Sequence, residues 1–188
     1  MALAIERHWP LRAWDKVLYF TPEPPMSDYL LRRVDGFRSV SLKDPGRIDA
    51  EDGVFDLVIA SNVLEHVPAE QSALAEMRRV LKPSGRLVVT VPLVAGWDAT
   101  YENPSIDTAR DRLMHFGQVN HVRMYGRDIG DRLRAAGFDV VEHVALGADS
   151  VRYSLIPGER TLMAVPARHA PRSRRAVGGV AAGEQQDA

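Results

Sequence analysis

Apolar residues gather in six short runs: Lys16–Phe20, Phe37–Leu42, Asp56–Ser61, Arg86–Leu93, Asp139–Leu146 and Thr161–Val165. In the central pair Val, Ile and Leu follow one another without polar alternation, the pattern of strands covered on both faces. A different period lies between the runs. Ala73, Leu74, Met77, Val80 and Leu81 recur at spacings of three and four, opposed by Glu70, Glu76 and Arg78, which predicts a helix with one apolar stripe. Pro83 and Gly85 end that helix and re-aim the chain. A second helix is predicted over Asp128–Ala136, with Ile129, Leu133 and Ala136 inward, Gly137 as a left-handed cap and Phe138 opening the next strand. Strand–helix–strand alternation with short connections argues for a right-handed, doubly wound α/β fold with a mostly parallel sheet. Such sheets bind ligands beyond the carboxyl ends of their strands. Here that edge carries Thr21–Pro25, Leu42–Asp44, Ser61–His66 and the segment after Pro92.

Composition narrows the field. A chain of 188 residues can bury one sizeable core. Its formal net charge of −1 gives no general attraction to nucleic acid or anionic membrane, and no basic stripe with interleaved aromatics suggests a nucleic-acid partner. The absence of cysteine excludes disulfides, thiolate metal sites and cysteine nucleophiles. Charges interrupt the N-terminal segment before any apolar stretch of signal-peptide length, and no run approaches the roughly 20 residues that span a bilayer. A soluble, cytoplasmic protein without a membrane partner is therefore expected. Residues 166–188 are rich in Ala, Gly, Arg and Gln without apolar periodicity, and a disordered tail is expected there, with Arg172, Arg174 and Arg175 solvated.

The stretch from Phe55 to Leu93 reads Phe-Asp-Leu-Val-Ile-Ala-Ser-Asn-Val-Leu-Glu-His-Val, then Leu-Lys-Pro-Ser-Gly-Arg-Leu-Val-Val-Thr-Val-Pro-Leu. It resembles the class I S-adenosylmethionine (SAM) methyltransferases, in particular the small-molecule group with a Phe-Asp, Leu-Glu-His-Val and Leu-Lys-Pro-Gly-Gly signature. The resemblance runs from about Val17 to Val165 and implies a Rossmann-like methyltransferase domain over residues 1–165. It also implies SAM as cofactor and a small-molecule acceptor. By the same resemblance Ser61 and Asn62 contact the adenosine side, with His66 beside them; the plainer reading is that Leu64 and Val67 pack while Glu65 and His66 order the turn by hydrogen bonds, and for Glu65 that reading is preferred. Some methyltransferases place a second acid three residues before the Glu-His pair and bind a divalent metal there. This chain has Asn62 at that position, and two ligands on one turn are too few, so no metal site is expected.

Two segments depart from the family pattern. Thr21, Pro22, Glu23 and Pro25 occupy the place of the glycine-rich loop, and three prolines there remove three N–H donors. The segment resembles the Ala-Pro-Glu-Pro variant loop of a methyltransferase subgroup, in which Glu23 would take the cofactor's ammonium group by a charge-assisted contact. The ribose-binding acid of the family falls at Ser41, with Asp44 the nearest substitute. Only the twelve residues Lys43–Val54 then remain before the next strand, broken by Pro45, Gly46 and Gly53, so the third strand is expected to be shortened or missing. The sheet edge this leaves would be covered in a homodimer.

The insert, residues 94–125, contains Phe-Gly-Gln-Val-Asn-His-Val-Arg-Met-Tyr, similar to the Phe-Gly-Gln-x-Asp-His-Val-Arg-x-Tyr-Gly segment of the same subgroup. There the region is a lid that covers the cofactor and shapes the acceptor pocket. His121 is the leading general-base candidate and His115 the second, since an unperturbed histidine titrates near neutrality. Either could instead hold the lid shut through backbone bonds. Trp97, Tyr101, Arg123 and Tyr125 are the acceptor-binding candidates, though Arg123 and Tyr125 could equally pair with Asp111 or Glu102. The leading function is methyl transfer from SAM to an oxygen or nitrogen of a small molecule. The alternative is a degenerate methyltransferase-like protein that binds a partner or performs other chemistry. A nicotinamide-dependent oxidoreductase is disfavoured, because Thr21–Met26 contains no glycine.

Overall fold

The apolar runs become strands in the computed structural model, which describes residues 1–40, 47–94, 96–153 and 155–168. In chain order the elements are α1 (Ala2–His8), β1 (Val17–Phe20), α2 (Pro24–Leu31), β2 (Phe37–Val40) and β3 (Phe55–Ser61). A 3₁₀ turn at Leu64–His66 leads into α3 (Glu70–Val80) and β4 (Leu81–Thr90). The insert contributes β5 (Tyr101–Glu102), α4 (Ala109–Phe116) and β6 (Arg123–Met124). Then come α5 (Ile129–Ala135), β7 (Phe138–Val144), α6 (Ala148–Arg152) and β8 (Arg160–Pro166).

Six strands form one sheet in the order β2-β1-β3-β4-β8-β7. The first four are parallel, and β8 alone runs against its neighbours β4 and β7. Alternation along β1 shows how both faces are covered. Leu18 and Phe20 join the cluster of Leu74, Met77, Ile129 and Leu133 from α3 and α5. Val17 and Tyr19 join Ile5 of α1 with Met26 and Leu30 of α2. The doubly wound expectation is met.

The third strand of the family pattern is absent: among the described residues, nothing pairs with the outer edge of β2. The far end of the short connection is fixed on α3. Arg79 donates to the carbonyls of Ile48 and Ala50 and pairs with Asp52 and Glu76. Ser41 and Asp44, the expected ribose-binding residues, lie outside the described residues, as does the tail from 169 onward.

Two local features differ from the sequence reading. The helix stops at Val80, ahead of Pro83, and Leu81 already pairs with Phe55. Proline disfavours helical backbone for the residue before it, so Lys82 is extended and the register shifts between Phe55 and Leu57. Gly85 is demanded at this irregularity, because a Cβ there would lie 2.9 Å from the carbonyl oxygens of Phe55 and Lys82. Glu70, expected on the polar face of α3, is 3 % exposed. Its carboxylate accepts from the Tyr125 hydroxyl at 2.5 Å and from Arg132 at 2.6 and 2.8 Å.

The insert is pinned rather than loose. β5 and β6 form an antiparallel ribbon, and the Val94 N–H donates to the Tyr125 carbonyl at 2.9 Å. Thr108 caps α4 and Gly117 closes it in the left-handed conformation. Gly126 permits a close approach, since a Cβ there would sit 2.5 Å from the Ala99 carbonyl. No helix among the described residues is long and apolar enough to cross a membrane.

Candidate functional site

At the carboxyl ends of β1 and β3 the backbone takes a conformation that non-glycine residues seldom adopt. Thr21 has φ 49° and Asn62 has φ 50°, both left-handed. Such strain, of order 1–3 kcal/mol each, persists where surrounding bonds dictate it. The Thr21 N–H donates to the Val40 carbonyl, and the Asn62 N–H to the Thr90 carbonyl, each at 2.9 Å. Both residues turn the chain sharply out of a buried strand and leave side chains at the open edge of the sheet.

A cavity of about 680 Å³ lies at this edge. Its floor comes from Tyr19, Ser61 and Thr90, with Asn62 and Glu23 at the strand ends. Ser61 Oγ and Thr90 Oγ1 are 3.0 Å apart. Glu23 is the N-cap of α2, followed by two prolines. Its N–H donates to the Tyr19 hydroxyl at 3.2 Å, and among the described residues its carboxylate makes no ion pair. Arg160, also on the wall, is paired with Glu142. Glu159 and the Met1 amino group also line the cavity and interact with each other, so Glu23 remains a carboxylate without an ion pair, among apolar walls that include Met26, Val91, Leu93 and Leu162. That combination suits a ligand with an ammonium group and an apolar body.

Sequence reasoning missed part of the wall. Ala2 of α1 and the loop Ile156–Arg160 line the cavity, whereas Trp97, Tyr101, His115 and His121 do not. The loop reaches the site because β8 is antiparallel, so the segment entering it arrives at the edge where the parallel strands end. Reading Thr161–Val165 as antiparallel would have placed Ile156–Arg160 there.

The insert packs on the turn after β3 instead. The Val122 N–H donates to the Glu65 carbonyl at 2.8 Å. Arg123, 4 % exposed, donates to the carbonyls of Leu64 (2.7 Å), Val67 (2.6 Å) and Pro68 (3.1 Å), and to Glu102 at 2.8 Å. Tyr125 is fully buried, with its hydroxyl on Glu70. Both are committed to closing the insert, and neither lines the cavity, which corrects their assignment to the acceptor: the Tyr125 hydroxyl is spent on Glu70 and four of the five Arg123 N–H groups are spent on the turn and on Glu102. Burial first, and the Glu70 charge next, keep the Tyr125 phenol protonated far above its ordinary range. Of the remaining acceptor candidates, Trp97 is 40 % exposed and stands edge-on to Tyr101. The Tyr101 hydroxyl is 2.7 Å from His115 Nδ1, on the exposed side of α4.

Packing the insert on the turn brings three groups together. Glu65, His66 and His121 each offer a donor atom within 4.8 Å of the others, and the two imidazoles meet edge-on with centroids 4.7 Å apart. His66 Nδ1 lies 3.2 Å from the Asn120 carbonyl. Glu65 is 1 % exposed and neither carboxylate oxygen has a hydrogen-bond partner. Burial pushes its carboxyl up to about 7, with the Arg123 charge opposing. Glu65 thus does not order the turn through its side chain, contrary to expectation. The turn receives a third candidate ligand group from outside it, His121, the distant help that the Glu-His pair alone lacks. Burial and the neighbouring His66 hold His121 below the ordinary histidine value.

Strained strand ends, a cavity at their carboxyl edge and a covered, mostly parallel sheet define a Rossmann-like ligand-binding domain. Residues 7–89 match the family model described as a methyltransferase domain. Over these residues the chain is similar to SAM-dependent methyltransferases. It is 31% identical over 129 residues to an uncharacterized 37.1 kDa protein in a transposon of Streptomyces fradiae, covering 66% of this chain and 36% of that protein. The chain thus spans about a third of that relative's length. Among solved structures it is similar to the YcgJ protein of Bacillus subtilis, with a TM-score of 0.59 and 13% identity over 89% of this chain and 97% of that one. It is also similar to the Burkholderia thailandensis 1,6-didemethyltoxoflavin-N1-methyltransferase with bound 1,6-didemethyltoxoflavin and S-adenosylhomocysteine. There the TM-score is 0.54 and the identity 19%, over 88% of this chain and 76% of that one.

Proposed function

We propose that the protein transfers a methyl group from SAM to an oxygen or nitrogen of a small-molecule acceptor. The observation that carries the reading is the cavity at the carboxyl ends of β1, β3 and β4, with the unpaired Glu23 carboxylate on its rim. When bound, the cofactor supplies an electrophilic methyl on a sulfonium sulfur. Glu23 fits the ammonium of its methionine half, at the point where the family uses glycine-rich backbone. Thr21 and Pro22 shape that loop. Ser61 and Asn62 stand at the adjacent strand end for the adenosine side, with His66 on the turn beyond them. The chain's main contributions are to hold the reacting groups in line and to exclude water. His121 is the candidate that accepts the acceptor's proton: burial keeps it neutral, hence able to take one. His115 is the weaker candidate because Tyr101 holds it. Trp97 and Tyr101 remain the aromatic candidates for the acceptor side.

Calorimetric titration with SAM and S-adenosylhomocysteine tests the reading. Micromolar binding that weakens in Glu23→Gln and Asn62→Ala supports it, and an absence of heat and of thermal shift with either ligand overturns it. One observation favours the alternative, a methyltransferase-like domain that no longer transfers methyl groups. Among the described residues the sheet ends at β2, where the family pattern places a further strand beside the adenine. The same bare edge is where a homodimer would form, and a mass that stays monomeric at every concentration in sedimentation would exclude that dimer.

A further inference from the structure

Glu65 presents an unusual combination: a carboxylate almost wholly buried, with both oxygens unpartnered, facing two imidazoles. A buried acid without a hydrogen-bond partner is destabilising unless something compensates it. His121 Nδ1 beside it is likewise buried and unpartnered. The third group is already oriented. A carbonyl can only accept, so His66 Nδ1 donates its proton to the Asn120 carbonyl, leaving Nε2 with a free lone pair. Glu65, His66 and His121 thus bring one ligand atom each to within 4.8 Å of the others, from two residues on one turn and one on the insert.

We propose that Glu65, His66 and His121 form a binding site for a divalent first-row transition-metal ion. Metal-bound N and O atoms lie about 2.1 Å from such an ion, so neighbouring ligand atoms at tetrahedral angles sit about 3.4 Å apart. The three donor atoms here lie within 4.8 Å of one another, so closing on an ion requires movements of about an ångström. The surroundings keep the groups in place. The Val122 N–H holds the Glu65 carbonyl, and Arg123 clamps the turn at Leu64, Val67 and Pro68. The positive charge of Arg123 is offset by its ion pair with Glu102. Two imidazoles and one carboxylate select Zn²⁺, Co²⁺, Mn²⁺ or Fe²⁺ over Mg²⁺ and Ca²⁺, which prefer all-oxygen shells.

Three protein ligands leave at least one coordination position open, as catalytic sites do and structural zinc sites do not. His121 then serves as a ligand, and the free-base role falls to it only if no metal binds.

The test uses the full chain, stripped with chelator and titrated with Zn²⁺ by calorimetry and with Co²⁺ by visible absorption. One equivalent at micromolar affinity or tighter is expected, with a Co²⁺ band of low coordination number. Mg²⁺ is expected to give neither heat nor thermal shift. Glu65→Gln and His121→Ala are each expected to weaken Zn²⁺ at least tenfold. Glu65→Gln keeps the volume of the buried side chain and removes its ability to ionise, so its metal-free melting temperature should equal or exceed that of the parent while Zn²⁺ no longer raises it. That contrast separates a ligand from a folding residue. His143→Ala serves as control, since His143 forms the other close imidazole pair, 3.2 Å from His8. Absence of Zn²⁺ binding, or binding lost in His143→Ala and kept in His121→Ala, overturns the proposal. S-adenosylhomocysteine titration of the same preparation keeps the two readings apart. Metal without homocysteine-product binding sinks only the transferase reading, and the reverse result sinks only the metal site.

Discussion

Replacing Arg123 by methionine keeps most of its volume and removes every donor it places on the turn after β3. The side chain is 4 % exposed and serves four acceptors: the Leu64, Val67 and Pro68 carbonyls and the Glu102 carboxylate. The Leu64 carbonyl retains a second donor in the Val67 N–H at 3.2 Å, so the loss falls on the other three. Breaking a buried charged interaction by removing one partner costs about 3–5 kcal/mol, a large part of a typical folding free energy of about 5–15 kcal/mol. With a urea m-value of about 2 kcal/mol/M, Arg123→Met should lower the urea midpoint by about 2 M, read by far-UV circular dichroism. Amide exchange should rise first over residues 97–125, since Arg123 is the bolt between ribbon and turn. Arg123→Lys should recover only part of the loss, because one ammonium cannot span three carbonyls set around a planar fork. A midpoint shift below about 0.5 M, roughly 1 kcal/mol at that m-value, would refute the reasoning. If such a variant also lost ligand affinity, Arg123 would be returned to the acceptor site.

Four further outcomes follow from named contacts. Tyr125→Phe strips Glu70 Oε1 of its 2.5 Å donor and should destabilise by about 1–3 kcal/mol in urea melts, with little change in S-adenosylhomocysteine affinity. Gly126→Ala drives a Cβ into the Ala99 carbonyl and should destabilise by about 1–3 kcal/mol or more, with exchange rising across the β5–β6 ribbon. Glu23→Gln should weaken S-adenosylhomocysteine about tenfold by calorimetry, the loss of one charge-assisted contact, and leave the exposed turn's stability unchanged. Stability should also show an acid limb. Burial raises the carboxyls of Asp56 and Glu102, but Lys82 and Lys16 for the first, and Arg123 and Arg132 for the second, bring both net below their ordinary values. Depressed native pKa values stabilise above the unfolded value of about 4, and that stability is lost as pH falls through the native values. The urea midpoint should therefore hold from neutrality to about pH 5 and drop below about pH 4, less steeply in Asp56→Asn.

The fold was legible because each strand carries its own signal. Uninterrupted Val, Ile and Leu runs in β3 and β4 are written locally, and so is the cap at Gly137, where φ is 89°. That no further strand pairs with β2 among the described residues could also be anticipated from the short connection that follows it. The cavity was legible only where a strand ends: Glu23, Ser61 and Asn62 reach its wall because a doubly wound sheet sends every such end to one edge. The insert resisted reading because what its residues do depends on contacts across more than fifty positions. Arg123 and Tyr125 look like ligand-binding residues in one dimension, and burial against Leu64, Val67 and Glu70 turns them into structural ones. The same contacts carry His121 to Glu65 and His66, giving a two-residue turn the third donor that local spacing denied it. An insert anchored this firmly is poorly suited to swing as a lid over the cavity. Its rigid attachment serves better to hold a fixed set of donor atoms against the turn after β3, which is what a metal-binding constellation needs and a mobile cover cannot give.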